Sequence, residues 1–444
     1  MSNIIEQQRF MCAIGAMQTV VAIQKAMPIL HAGPGCGTMV QGFFERSTGY
    51  AGGSTAPCSN FSESEVVFGG EERLKKIIEN SYKVLDSNLQ VVLTGCASSI
   101  VADDVNSVVS EFVQQGKPIV YVETPGFKCS NYVAHSLVVN AVIDQYVDKV
   151  YDRSAAKEKA VVNVFASLPY QDPFWKGNLK EIERLLDGIG LKANILFGPY
   201  SNGIDEWKRI PQSAFNVLIS PWYGKEIVEN LQAKYNQPFY QFPYIPIGGN
   251  ETTKFLNELL NYANENGSQL SVEKAKSFID REEKNFYEEM DNLATFLLEF
   301  RYGLPSYFHI LSDASYVLGM SKFILTEVGL IPKELFIMDQ TPKEMQDNIL
   351  NIAKGISNKR KIEIYFQTDG GLAQGIIEKT NNVGRGLLLG GAWDKQFAKN
   401  KGFDFVSIGL PTTYRLVLTT PYFGYKGGLR LIEDIYNCAL AAYE

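Results

Sequence analysis

Gln90-Val91-Val92-Leu93-Thr94-Gly95-Cys96-Ala97-Ser98-Ser99 reads as a strand that turns sharply into a helix. The apolar opening has the length and β-branched content of a buried strand, Thr94-Gly95 breaks it, and a serine then caps the next helix. The expected helix carries Val101, Val105, Val108, Val109, Phe112 and Val113 on one face, and Gly116 with Pro118 ends it before a second apolar run at 118–122. Strand, turn, helix and strand in this order form a βα unit of a parallel sheet.

The same rhythm recurs after this unit. Further strand candidates lie at 161–166, 193–197, 217–220, 307–311, 334–338, 361–366, 386–389 and 404–408. The charged segment 251–301 contains no such run and reads as two helices between α/β regions. A chain of 444 residues exceeds what one core usually organises. The expected fold class is therefore α/β, with three Rossmann-like domains of mostly parallel sheets. They span 1–155, 156–300 with the helical linker, and 301–444 with a C-terminal segment packing back.

Charge and patterning exclude several functions. A net charge of -7, with acids and bases intermixed, offers no basic stripe for a phosphate backbone, so nucleic acid is not an expected partner. No run of about 18 apolar residues exists for a membrane span, and residues 1–10 are polar where a signal peptide is apolar, so the expected location is the cytoplasm. No phosphate-binding G-x-x-x-x-G-K-[ST] string occurs, and Gly384-Arg385-Gly386 and Gly248-Gly249-Asn250 fail the dinucleotide fingerprint.

The cysteines are the sharpest signal. Six are too few for a disulfide scaffold, yet Cys12, Cys36, Cys58, Cys96 and Cys129 all fall in the first third of the chain. Cys36 lies in His31-Ala32-Gly33-Pro34-Gly35-Cys36-Gly37, after the apolar run 27–30, and Cys96 follows the strand at 90–93. Both occupy the carboxyl ends of strands, where open α/β sheets bind ligands. A helix N-terminus there favours thiolate over thiol and suits an anionic iron-sulfur cluster. Cys58 ends the small-residue loop Ala51-Gly52-Gly53-Ser54-Thr55-Ala56-Pro57, which can fold over a bulky group. The spacing matches neither a zinc pair nor a ferredoxin run, and three buried thiols are the alternative reading.

Longer strings add a resemblance. Met27-Pro28-Ile29-Leu30-His31-Ala32-Gly33-Pro34-Gly35-Cys36, Val66-Val67-Phe68-Gly69-Gly70-Glu71 and Leu93-Thr94-Gly95-Cys96-Ala97-Ser98-Ser99 are similar, in this order, to nitrogenase component 1. The similarity continues through Glu123-Thr124-Pro125-Gly126-Phe127, Gly390-Gly391-Ala392-Trp393 and Gly424-Tyr425-Lys426-Gly427-Gly428, nearly the whole chain. It implies that Cys36, Cys58 and Cys96 are one subunit's ligands to an interface iron-sulfur cluster, of the eight-iron P-cluster type or a four-iron relative. It further implies a homologous α-like partner in an α2β2 assembly and a separate nucleotide-dependent iron protein that delivers electrons. The α-type subunit anchors the active-site cofactor through a mid-chain cysteine and a late histidine. This chain has no cysteine between Cys129 and Cys438 and no histidine after His309, so it resembles the β subunit. Dinitrogen reduction is the expected activity. A scaffold for cofactor assembly, and reductases of carbon-sulfur or tetrapyrrole substrates, are the alternatives. Gly126 stands where the family's β subunit can carry a serine ligand.

The remaining candidates have plainer readings. Cys129 is held as a reserve ligand or a buried thiol, Cys12 as packing and Cys438 as core. His31, His135 and His309 are expected as satisfied polar residues, since nothing pairs them at ligand spacing. Glu71 and Glu72 complement a helix dipole, and Asp103 and Asp104 are read as a solvated helical face or part of a docking surface.

Overall fold

The computed structural model describes residues 5–46, 56–300, 304–357, 362–380 and 383–441; segment 51–55 of the small-residue loop lies outside them. Strand β1 (Ala26–His31) runs into α1 (Pro34–Arg46). Helices α2 (Glu63–Phe68) and α3 (Glu71–Val84) then lead back to β2 (Leu89–Thr94). After β2 come α4 (Cys96–Val101) and α5 (Val105–Gln114), and after β3 (Ile119–Val122) comes α6 (Asn131–Val142). The three strands form a parallel sheet in the order β1-β2-β3, with Leu30 opposite Leu93 and Leu93 opposite Val122.

Central β2 is covered on both faces, which explains a run without polar alternation. Val91 and Leu93 point into the main core, while Val92 joins Ile29, Leu74, Ile78, Val105, Val109 and Phe112 in a second cluster beneath α3 and α5. The helix expected after β2 is two helices. Ala102 takes the left-handed conformation at φ 63° and ends α4, and the Asp104 carboxylate accepts the Ser107 N–H to open α5. Asp103, between them, turns inward with its side chain 1% exposed. The solvated-face reading is therefore wrong for Asp103, because its carboxylate has buried hydrogen-bond partners in His31 and Gly70.

The second sheet has the order β5-β4-β6-β7, from β4 (Glu158–Phe165), β5 (Lys192–Asn194), β6 (Ser213–Ile219) and β7 (Phe239–Phe242). Strand β5 stops short of the expected 197, and the Trp207 indole N–H takes the Leu196 carbonyl at 3.0 Å. The polar segment forms α7 (Gly248–Glu265) and α8 (Val272–Phe300), the expected helix pair. The third sheet, ordered β10-β9-β8-β11-β12, comprises β8 (Tyr307–Ser312), β9 (Ile331–Ile337), β10 (Glu363–Phe366), β11 (Gly386–Gly390) and β12 (Asp404–Ser407). Every strand pairing between these elements is parallel. Helix α9 (Gly424–Leu440) returns to pack on α7, α8 and β12, and one continuous apolar core joins the three sheets.

Candidate functional site

Parallel strands end at a common edge, and in the first sheet the segments beyond that edge carry the cysteines. Cys36 is the third residue of α1, its N–H on the Gly33 carbonyl at 3.1 Å. Cys96 is the first residue of α4. Cys58 is held against β1 by a parallel bridge to Leu30, with Leu30 N–H on Pro57 O and Ser59 N–H on Leu30 O, both 2.8 Å. Beyond β3 the chain folds back over Thr94, whose hydroxyl accepts the Thr124 N–H at 3.0 Å while its carbonyl accepts the Thr124 hydroxyl at 2.9 Å. That return sets the Gly126 N–H on the Cys96 sulfur at 3.2 Å, and the Asn60 N–H lies 3.5 Å from the Cys58 sulfur.

The thiols share one locus. A Cβ at Gly37 would stand 3.5 Å from Cys58 Sγ; one at Gly126 would stand 3.5 Å from Cys96 Sγ and 3.1 Å from Cys12 Cβ. Negative charge on Cys36 is opposed first by burial and then by the neighbouring Cys12, Cys96 and Cys58. Cys12 pairs with Ser130 through an isolated antiparallel bridge, which brings Cys129 beside it. The sequence reading of Cys12 as packing missed this placement. Its position depends on the N-terminal segment docking against α6, where the Met11 N–H meets Asn131 Oδ1 at 2.8 Å. Cys438 stands apart on α9, its thiol pushed up to about 12 by burial.

Burial raises Cys36 and Cys58 above the usual thiol value. Desolvation disfavours the thiolate over the thiol. A metal binding these sulfurs must displace protons. Among the described residues no three His, Cys, Asp or Glu side chains stand close enough to hold one ion. Soft thiols strung along a sheet edge, with backbone N–H groups aimed at two sulfurs, fit a multi-iron sulfide core that spans them. Beside Cys12 and Cys36 opens a cavity of about 660 Å³, walled by Phe10, Met39, Trp393 and Leu410. Val66, Val67, Phe68, Ile100 and Phe127 are exposed on segments flanking the cysteine loops.

Two of the three histidines are hydrogen-bonded as expected, and the third is not. His31 lies between Asp103 and Ser59, and burial lowers its pKa against the raising effect of the Asp103 carboxylate. His135 meets the Thr19 hydroxyl at 2.8 Å and is pushed down to about 4 by burial. His309 Nδ1 lies 3.2 Å from Glu334 Oε2 inside the third sheet, but neither ring nitrogen is hydrogen-bonded, so the expectation of a satisfied polar residue fails there.

The sequence matches the family described as nitrogenase component 1 type oxidoreductase over residues 12–440. The molybdenum-iron protein beta chain of Clostridium pasteurianum nitrogenase is 24% identical, covering 97% of this chain and 92% of its own length. That of Azotobacter vinelandii is 20% identical over 96% of this chain and 82% of its own. A solved structure of nitrogenase Cp1 at pH 6.5 superposes with a TM-score of 0.79 at 22% identity, covering 100% of this chain and 95% of the other, and so shares the fold. Among the described residues no helix is long and apolar enough to cross a membrane.

Proposed function

This chain belongs to the nitrogenase component 1 type oxidoreductases, and on that premise we propose that Cys36, Cys58 and Cys96 are its ligands to an interface iron-sulfur cluster. The chain is an oxidoreductase subunit similar to the beta chains of molybdenum-iron proteins. Its proposed place is the β-like half of an α2β2 assembly. It accepts electrons from a nucleotide-dependent iron protein and hands them to a reductive site in the α-like partner, with dinitrogen as the substrate. The cluster is of the eight-iron P-cluster type, with a four-iron cluster as the smaller alternative.

One observation carries this reading: three cysteines remote in sequence lie at the carboxyl end of one sheet, Cys36 and Cys96 in the turns after β1 and β2 and Cys58 on a bridge to β1. When bound, such a cluster supplies one-electron storage. The chain's own residues do the rest. The three thiolates anchor, the Gly126 and Asn60 N–H groups offset negative charge on two of them, and the buried sheet end keeps the local dielectric low. The half-open sulfurs and the apolar cavity beside Cys36 suit cover by a homologous partner.

Cys96→Ala in protein co-expressed with its partner is expected to lose iron, sulfide and the cluster's electron paramagnetic resonance signal while its circular dichroism stays that of the parent. Unchanged iron content and signal would refute the ligand assignment.

A further inference from the structure

We propose that Asp103 and His31 form a positioning pair that holds the three cysteine-bearing turns in register, an inference that rests on the ligand reading above. His31 is the last residue of β1, and its side chain is fully buried. Through its ring it reaches two segments: Nε2 meets Asp103 Oδ2 at 2.9 Å and Nδ1 meets Ser59 Oγ at 3.0 Å. Through its carbonyl it reaches a third, accepting the Gly95 N–H at 3.0 Å and the Ser98 hydroxyl at 2.7 Å. Ser59 adjoins Cys58, Gly95 adjoins Cys96, and Cys36 follows His31 in the turn after β1. One residue thus touches all three donor-bearing segments while ligating nothing itself.

The chemistry of the partners fixes the direction of the chain. The carboxylate can only accept, so Nε2 carries the proton and Nδ1 accepts from Ser59, whose oxygen in turn accepts the Ala32 N–H at 3.1 Å. Asp103 Oδ1 takes the Gly70 N–H at 2.9 Å, fastening the start of α3 to the same point, and the Phe61 ring packs edge-on to His31 at 5.0 Å. Inside a buried polar chain each bond polarises the next, and removing one end strands the others without water. The left-handed Ala102 is the local distortion that aims Asp103 inward. Outer partners that orient ligands affect metal retention by about 10- to 100-fold when removed.

The test uses the complex purified anaerobically with its partner subunit, with iron release to a ferrous chelator and the paramagnetic signature as readouts. Asp103→Ala is expected to release iron about tenfold faster and to alter the signature. Asp103→Asn is expected to restore most of the retention, because reversing the imidazole tautomer lets the amide donate to Nε2. His31→Gln, which can reach Asp103 but not Ser59 as well, is expected to fall between them and serves if the alanine variant does not fold. His309→Gln breaks a buried pair far from the cysteines and controls for stability alone; it is expected to lower the thermal midpoint without hastening release. Release in the Asp103 and His31 variants no faster than in the His309 control would overturn the positioning role while leaving the ligand reading intact. An iron-free parent complex would overturn both.

Discussion

A methyl group added at position 95 would stand 2.5 Å from the Cβ of Ala32, so the turns carrying Cys96 and Cys36 touch through a glycine. Gly95→Ala must push them apart, and overpacking of this kind costs about 1 to 3 kcal/mol. Urea unfolding is expected to show that loss, accompanied by a fall in iron content; a variant with parental stability and iron would contradict the close contact. At this scale the sequence was half legible. Glycines before Cys36 and Cys96 announced turns at strand ends, and the structure places both cysteines there. Asp103 and Cys12 carried no local signal, since an acidic pair after a helical stretch and a cysteine before Ala13 acquire their neighbours only when remote segments dock. The burial that raises the Cys36 thiol is set by tertiary packing and has no signature in the local sequence.

The break between α4 and α5 shows what periodicity hides. Val101 and Val105 are four apart, so the apolar stripe runs across the break as though one helix continued. The left-handed residue is an alanine, and a non-glycine residue in that conformation costs about 1 to 2 kcal/mol. Ala102→Gly is expected to recover about 1 kcal/mol, and Asp104→Ala, which removes the cap on Ser107, to lose about 1 kcal/mol. Denaturation midpoints moving in opposite directions would support the two-helix arrangement; both falling would argue for one continuous helix. Central strand β2 was readable because cover on both faces demands an unbroken apolar run. Edge strand β7 was not, since Phe239, Tyr240 and Gln241 are only half-buried and prolines flank the strand.

Across the molecule, the three-sheet α/β architecture followed from the repeated strand-helix rhythm, whereas the joints between sheets had no signature in the sequence. One joint is titratable. His135 on α6 bonds Thr19 near the N-terminus and packs on Phe197 beyond β5, linking the first and second sheets. Its folded pKa of about 4 lies below the unfolded value of 6.5, so the unfolded chain takes the proton first. Its contribution is therefore complete above pH 6.5 and lost as pH falls toward 4, by about 3 kcal/mol. His135→Gln is expected to flatten that part of the stability profile in chemical denaturation, and an identical slope in both proteins would show that the imidazole is not held neutral. The central claim, that sulfur from Cys36, Cys58 and Cys96 grips iron at this sheet edge, is tested most directly by iron K-edge X-ray absorption on the anaerobic complex. The account predicts iron surrounded by sulfur, with iron and sulfide lost together in the three cysteine variants; a complex without iron, or iron bound only by oxygen and nitrogen, would contradict it.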